Sequence, residues 1–175
     1  MIHDLLEKIC TKLEQHNIPY MLSGSLAMIT YTTPRMTRDI DIVINIQSAD
    51  LDKFLDIFKE GYYINPPTVE VEIKRRGMFN VIDFESGFKI DFIVRKNTDF
   101  HINEFNRKIL SKAYGFQTWI VSIEDLVISK IKWIQELQSD TQKNDIKNLI
   151  CNPNIDMVYV KQWCKELNLN IFNLF

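Results

Sequence analysis

The segment Thr37-Arg38-Asp39-Ile40-Asp41-Ile42-Val43-Ile44 sets two acids two residues apart inside what otherwise reads as a β-strand. Strand side chains alternate, so Asp39, Asp41 and Val43 share one face while Ile40, Ile42, Ile44 and Ile46 cover the other. At a rise of roughly 3.3 Å per residue, the two carboxylates sit about 7 Å apart at Cα. Like charges placed side by side on a half-buried strand repel, and each loses hydration. One reading is an edge strand with solvated acids on its open face. The other is a multivalent cation between them, which the four isoleucines and the flanking Arg35 and Arg38 favour. Hard cations such as Mg²⁺ or Mn²⁺ take carboxylate oxygens and keep positions open for substrate phosphates.

The chain has 175 residues, enough for one domain with a full core, and 46% of them are hydrophobic. Its net charge of −2 gives no global pull toward nucleic acid or anionic membrane. The three cysteines, Cys10, Cys151 and Cys164, form no CxxC pair. With no secretory signal, they read as reduced thiols of a cytoplasmic protein. No apolar run approaches the ~20 residues of a membrane span. The three histidines are widely separated, which disfavours a structural zinc site.

Periodicity predicts a helix over residues 2–16, a strand at 20–22 and a short helix from Leu26 to Tyr31, halted by Thr32-Thr33-Pro34. The acidic strand covers 39–46, and Ser48 caps a helix that stops near Gly61. Residues 62–76 read equally as strand, helix or loop. Runs at 78–84 and 88–94 flank Glu85-Ser86-Gly87 and signal a hairpin. A helix over 99–112 and a strand over 116–121 follow. Ser122-Ile123-Glu124-Asp125 opens a helix to about 138, Ser139 with Gln142 opens another to Ile150, and a last helix runs near 155–167. Interleaved strands and helices predict an α/β (α+β) fold, with a mixed sheet flanked by helices and a C-terminal helical segment. The expected division is a core over 1–121 and a helical segment over 122–175 packed on it as one unit. The apolar tail, with Ile171, Phe172, Leu174 and Phe175, is expected to dock or to form an interface.

Four features bear on chemistry. Ser23-Gly24-Ser25 lies between a strand and a helix, where free N–H groups and a side-chain-free glycine can admit a phosphate, although a plain turn has the same look. It is neither a P-loop nor a nucleophile elbow. The Asp39/Asp41 pair is the second. Lys89-Ile90-Asp91-Phe92-Ile93-Val94 is the third: Asp91 on a neighbouring strand would complete a carboxylate set able to hold two ions. Val81-Ile82-Asp83-Phe84 looks similar, but a three-residue turn would set Asp83 opposite Lys89 as an ion pair and leave Asp91 free. The fourth is Lys130, on a helical stripe with Leu126, Trp133 and Leu137, which either snorkels to water or reaches an active-site phosphate or acid. Asp145, beside Ile146 and Leu149, is equally open.

The order Gly-Ser at a helix start, Asp-x-Asp on a strand and Asp on a later strand resembles the nucleotidyltransferase superfamily of DNA polymerase β. More narrowly, YMLSGSLAMITYTTPRMTRDIDIVI (Tyr20–Ile44), RRGMFNVIDFESGFKIDFIVRK (Arg75–Lys96) and SIEDLVISKIKW with TQKNDIKNLI (within Ser122–Ile150) resemble the AbiEii/AbiGii-type toxin nucleotidyltransferases. The likeness runs over nearly the whole chain. It implies that Asp39, Asp41 and Asp91 bind Mg²⁺ or Mn²⁺, with Asp91 also a base for the acceptor hydroxyl. It implies further that Ser23, Gly24 and Ser25 hold nucleotide phosphates, while Lys130 contacts the nucleotide and Asp145 assists.

The implied activity is transfer of an NMP from an NTP to an acceptor hydroxyl by a toxin or defence enzyme with a cognate antitoxin. The implied acceptors are a tRNA 3′ end or a protein. Lys74-Arg75-Arg76, Arg95-Lys96, Arg107-Lys108 and Lys143/Lys147 could line a groove for RNA, and enzymes of this fold also modify small antibiotics. The alternatives are a nucleotide-binding but catalytically silent regulator, and a cation-binding structural domain. The chain is shorter than many of the toxins, so its acceptor-binding half is reduced or supplied by a partner.

Overall fold

A computed structural model of the chain describes residues 2–33, 37, 39–112 and 114–175. Pro34, Arg35 and Arg38, to which the sequence reading assigned a helix stop and flanking charges, lie outside them. Among the described residues seven strands form one mixed sheet: β1 Tyr20–Leu22, β2 Asp39–Ile44, β3 Tyr62–Tyr63, β4 Met78–Asp83, β5 Lys89–Val94, β6 Ile109–Ser111 and β7 Thr118–Ile120. Their spatial order is β3-β4-β5-β2-β1-β7-β6. The central pair, β2 and β5, runs parallel, and so does β1 with β7; the remaining neighbours are antiparallel.

Among the described residues there are eight α-helices: α1 Ile2–Gln15, α2 Gly24–Ala27, α3 Leu51–Ile57, α4 Pro66–Arg75, α5 Asp99–Asn106, α6 Ile123–Glu136, α7 Asp140–Ile150 and α8 Met157–Glu166. Short 3₁₀ turns extend α2 over Met28–Thr30 and precede α3 over Ser48–Asp50. The sheet separates two apolar layers. On one face Ile40, Ile42 and Ile44 of β2 meet Ile90, Phe92 and Val94 of β5, together with Leu6, Ile9 and Leu13 of α1, Phe54 of α3 and Val69 of α4. Phe54, Phe58, Phe79 and Phe92 form edge-on and stacked ring pairs there, with centroids 5.1–5.7 Å apart. The opposite face carries Met21 and Val43, covered by Phe100 and Phe105 of α5 and by apolar residues of α6, α7 and α8. The tail docks here: Ile171, Phe172, Leu174 and Phe175 are partly buried against this second layer.

Several local expectations are refined. Ser122 and Ser139 accept from the N–H groups of Asp125 and Gln142, capping α6 and α7. Residues 62–76 resolve into β3 and α4, with Pro66 and Pro67 in the first helical turn and Asn65 as the cap. The cap before α3 is reciprocal between Gln47 and Asp50, rather than Ser48 acting alone. The helix expected over 99–112 ends at Asn106, because Ile109–Ser111 pairs with β7 as a sheet edge. The three cysteines are free thiols. Among the described residues no helix is long and apolar enough to cross a membrane.

Candidate active site

The parallel register of β2 and β5 sets Asp39 opposite Lys89 and Asp41 opposite Asp91. Paired residues on adjacent strands point to the same face, so all four side chains project from one end of the sheet's second face. Asp39 is exposed, Asp41 is half-buried and Asp91 is buried. Burial, then Asp91, then Asp39 push the Asp41 carboxyl up to about 6, against the opposing fields of Lys130 and Lys89. Such crowding disfavours the charged form of the Asp41 carboxyl.

The turn between β1 and α2 closes one side. Ser23 is nearly buried and its N–H donates to the Asp41 carbonyl at 2.9 Å. Gly24 follows at φ +59°, and a Cβ there would lie 1.9 Å from Asp41 Oδ2. The backbone and the carboxylate therefore approach as closely as glycine alone permits. Ser25 starts the helix beside them. Across the sheet, Asn80 of β4 is the register partner of Asp91 and is exposed, so the acids border open surface on that side.

Lys89 departs from expectation. The register opposes Ile82, not Asp83, to Lys89, and this one-residue difference puts Asp83 on the other face. There Asp83 accepts from the Ser86 N–H and hydroxyl. Lys89 Nζ instead lies 2.7 Å from Asp91 Oδ2, with Asp39 and Asp41 also within its field. Asp91 is therefore not the unpaired acid the sequence suggested. Among the described residues no three His, Cys, Asp or Glu side chains already form a metal cage. The donor set nevertheless fits a hard divalent ion, because an ammonium now sits where positive charge is demanded and all three acids offer oxygen. Sequence reasoning missed Lys89 and Asn80 as site residues. Their signal was present in the strand alternation of Lys89 with Asp91, but it needed the correct hairpin register.

Lys130 is buried on α6, and Trp133 and Leu137, expected on its apolar stripe, are exposed. Lys130 Nζ reaches Gln142 Oε1 at 2.8 Å and Asp145 Oδ2 at 2.9 Å, both on α7. It does not snorkel. The pair ties α6 to α7 and sends a positive field toward Asp41.

A mixed sheet with this acid register and a glycine turn against the second acid defines a nucleotidyltransferase fold. The chain belongs to a family described as "Nucleotidyltransferase of unknown function (DUF6036)", which matches residues 1–173. It is a nucleotidyltransferase. Its fold is similar to that of the solved ANT(2")-Ia in complex with adenylyl-2"-tobramycin, at TM-score 0.65 and 12% identity over 95% of this chain and 96% of that one. It is also similar to the lincosamide antibiotic adenylyltransferase LnuA, lincomycin-bound, at TM-score 0.55 and 17% identity over 82% of this chain and 93% of that one. An antigenic nucleotidyltransferase-like protein from Paracoccidioides brasiliensis gives TM-score 0.57 at 15% identity, over 94% and 86% of the two chains. No curated protein sequence matches this chain.

Proposed function

We propose that Asp39, Asp41 and Asp91 are the catalytic carboxylates of an Mg²⁺- or Mn²⁺-dependent transfer of an NMP from an NTP to an acceptor hydroxyl. The observation that carries this reading is the register of Asp41 with Asp91 beside the close approach of Gly24. In the reaction an acceptor oxygen bonds to the α-phosphorus, and the bond from that phosphorus to pyrophosphate breaks. The hydroxyl proton leaves to the Asp91 carboxylate. Bound divalent ions would supply charge neutralisation of the triphosphate and a lowered hydroxyl pKa.

The chain's own residues do the positioning. Asp39, Asp41 and Asp91 would hold the divalent ions, with Asp91 also taking the acceptor's proton. Ser23, Gly24 and Ser25 offer close backbone approach to the β- and γ-phosphates. Lys130, held by Asp145, adds positive potential behind them. Lys89 would have to part from Asp91 for that carboxylate to hold an ion.

The proposed acceptor is RNA, such as a tRNA 3′ end, or a protein, and the proposed role is that of a cytoplasmic toxin or defence enzyme with an antitoxin partner. Residues 1–121 serve as the transferase core, with 122–175 as its helical cover. A small-molecule acceptor is the second reading, favoured by the near-complete mutual coverage with ANT(2")-Ia. Incubation with each α-labelled NTP and Mg²⁺, offering total RNA, cell protein and a panel of antibiotics in turn, separates these acceptors. Bound label-free nucleotide with no transfer to any pool would instead make the chain a silent regulator.

A further inference from the structure

We propose a second site, for a phosphate or phosphodiester group, at the carboxyl ends of β2 and β5, walled by Arg76, Arg95, Lys96 and Lys132. It rests on these cations and not on the transferase reading. Arg95 follows β5, and its Nε donates to Asn45 Oδ1 at 3.2 Å and its Nη2 to Asn97 Oδ1 at 3.1 Å. Arg76, at the left-handed end of α4, donates from Nη1 to the Arg95 carbonyl at 2.7 Å. Those bonds hold two guanidinium groups near each other through neutral partners only.

Lys132 brings a third cation from α6. Its Nζ lies 3.1 Å from His101 Nε2 and 4.7 Å from the Phe100 ring centroid. An ammonium can only donate, so Nε2 accepts and the His101 proton resides on Nδ1, 2.6 Å from Thr98 Oγ1. The imidazole is thereby held neutral. Burial first, and then Lys132, Lys96 and Arg95, depress its pKa to about 4, so three of the cations act on this one ring.

Among the described residues, none of these four cations makes an ion pair. Glu104 of α5 lies within the field of Lys132 and offsets part of its charge, but it is buried, bonded to Ser129 and forms no ion pair; Asp99 on the first turn of α5 forms none with them either. Beside Arg76, at the margin of this cluster, a cavity of about 350 Å³ opens, lined also by Gln47, Ser48, Ala49, Ile73 and Lys74 and not by Arg95, Lys96 or Lys132. Burial disfavours the charged forms of Arg95 and Lys132, and an anion with several acceptor oxygens relieves that cost and the repulsion among these like charges. Arg95 stands four positions beyond Asp91 along the strand direction, or about 13 Å, so this site is distinct from the carboxylate cluster.

Pyrophosphate and a 5′-phosphorylated tetranucleotide, titrated calorimetrically into the full chain in EDTA, test the proposal. Without divalent ions the carboxylate cluster repels both probes and leaves this site to be read. Saturable binding is expected, weakened about tenfold or more by Lys132→Gln and by Arg76→Asn, a replacement that tolerates the left-handed backbone. Lys59→Gln, at an exposed lysine paired with Asp56, should leave it unchanged. Tighter binding of the tetranucleotide identifies a nucleic-acid strand as the source, and tighter binding of pyrophosphate identifies a free anion. Absence of saturable binding to both probes overturns the proposal. So does binding that persists undiminished in folded Lys132→Gln and Arg76→Asn proteins.

Discussion

A methyl group on Gly24 would lie 1.9 Å from Asp41 Oδ2, so the turn before α2 and the second acid of β2 share a space that only hydrogen can enter. Gly24→Ala therefore carries two costs, the left-handed strain of about 1–2 kcal/mol and the displacement of Asp41. Gly87 provides the control, since it has φ +70° with open space around it. Both alanine variants are expected to lower Tm, but only Gly24→Ala should lose transfer, by two orders of magnitude or more. Comparable transfer by the two variants would contradict the assigned role of this contact.

Asp41→Asn removes one of three crowded charges. Because burial and its two acidic neighbours raise the Asp41 carboxyl to about 6, the folded state carries a cost that is absent below pH 4. That cost grows as pH rises toward 6 and stays constant above it. The variant is expected to melt higher than wild type at pH 7.5 in EDTA, to match it near pH 4, and to transfer no nucleotide. A lower Tm at pH 7.5 would show that Asp41 is instead a structural ion-pair partner.

Lys89 and Asp91 form a pair, with Nζ 2.7 Å from Oδ2, that a divalent ion would have to open. Lys89→Met removes this competitor and is expected to tighten Mn²⁺ binding about tenfold, read by electron paramagnetic resonance of free Mn²⁺. Lys89→Arg should bind Mn²⁺ much as wild type does. Weaker binding by the methionine variant would mean that the ammonium organises the acids rather than substituting for the ion.

How far this site was legible before the fold was known depended on the range of each signal. The Asp39/Asp41 alternation and the caps at Ser122 and Ser139 are local, and the residues alone announce them. The partner of Lys89 was not legible, because it depends on whether Asp83 or Ile82 stands opposite across the hairpin. Neither was the end of α5: Arg107 and Lys108 suit a helix, and only pairing of Ile109–Ser111 with β7 ends it. The burial of Lys130 was similarly hidden, since its partners Gln142 and Asp145 come from another helix.

Glu104 is buried beneath α6 and accepts from Ser129 Oγ at 2.6 Å, with its carboxyl raised from 4.5 to about 7 mainly by burial. Its folded-state cost is absent below pH 4.5, grows between 4.5 and 7, and is complete above, where it amounts to about 3 kcal/mol. Glu104→Gln keeps the acceptor for Ser129 and cannot ionise. Chemical denaturation should find it about 2 kcal/mol more stable than wild type at pH 8 and equal to it near pH 4. A gap that does not change with pH would place Glu104 in contact with solvent.

Crystals grown with Mn²⁺ and a non-hydrolysable NTP analogue address the central claim most directly, through anomalous scattering. The expected result is a manganese peak bridging the carboxylates of Asp39, Asp41 and Asp91, with Lys89 withdrawn from Asp91 and the triphosphate against Gly24 and Ser25. A nucleotide bound elsewhere, with Lys89 still on Asp91 and no manganese among the three acids, would contradict it.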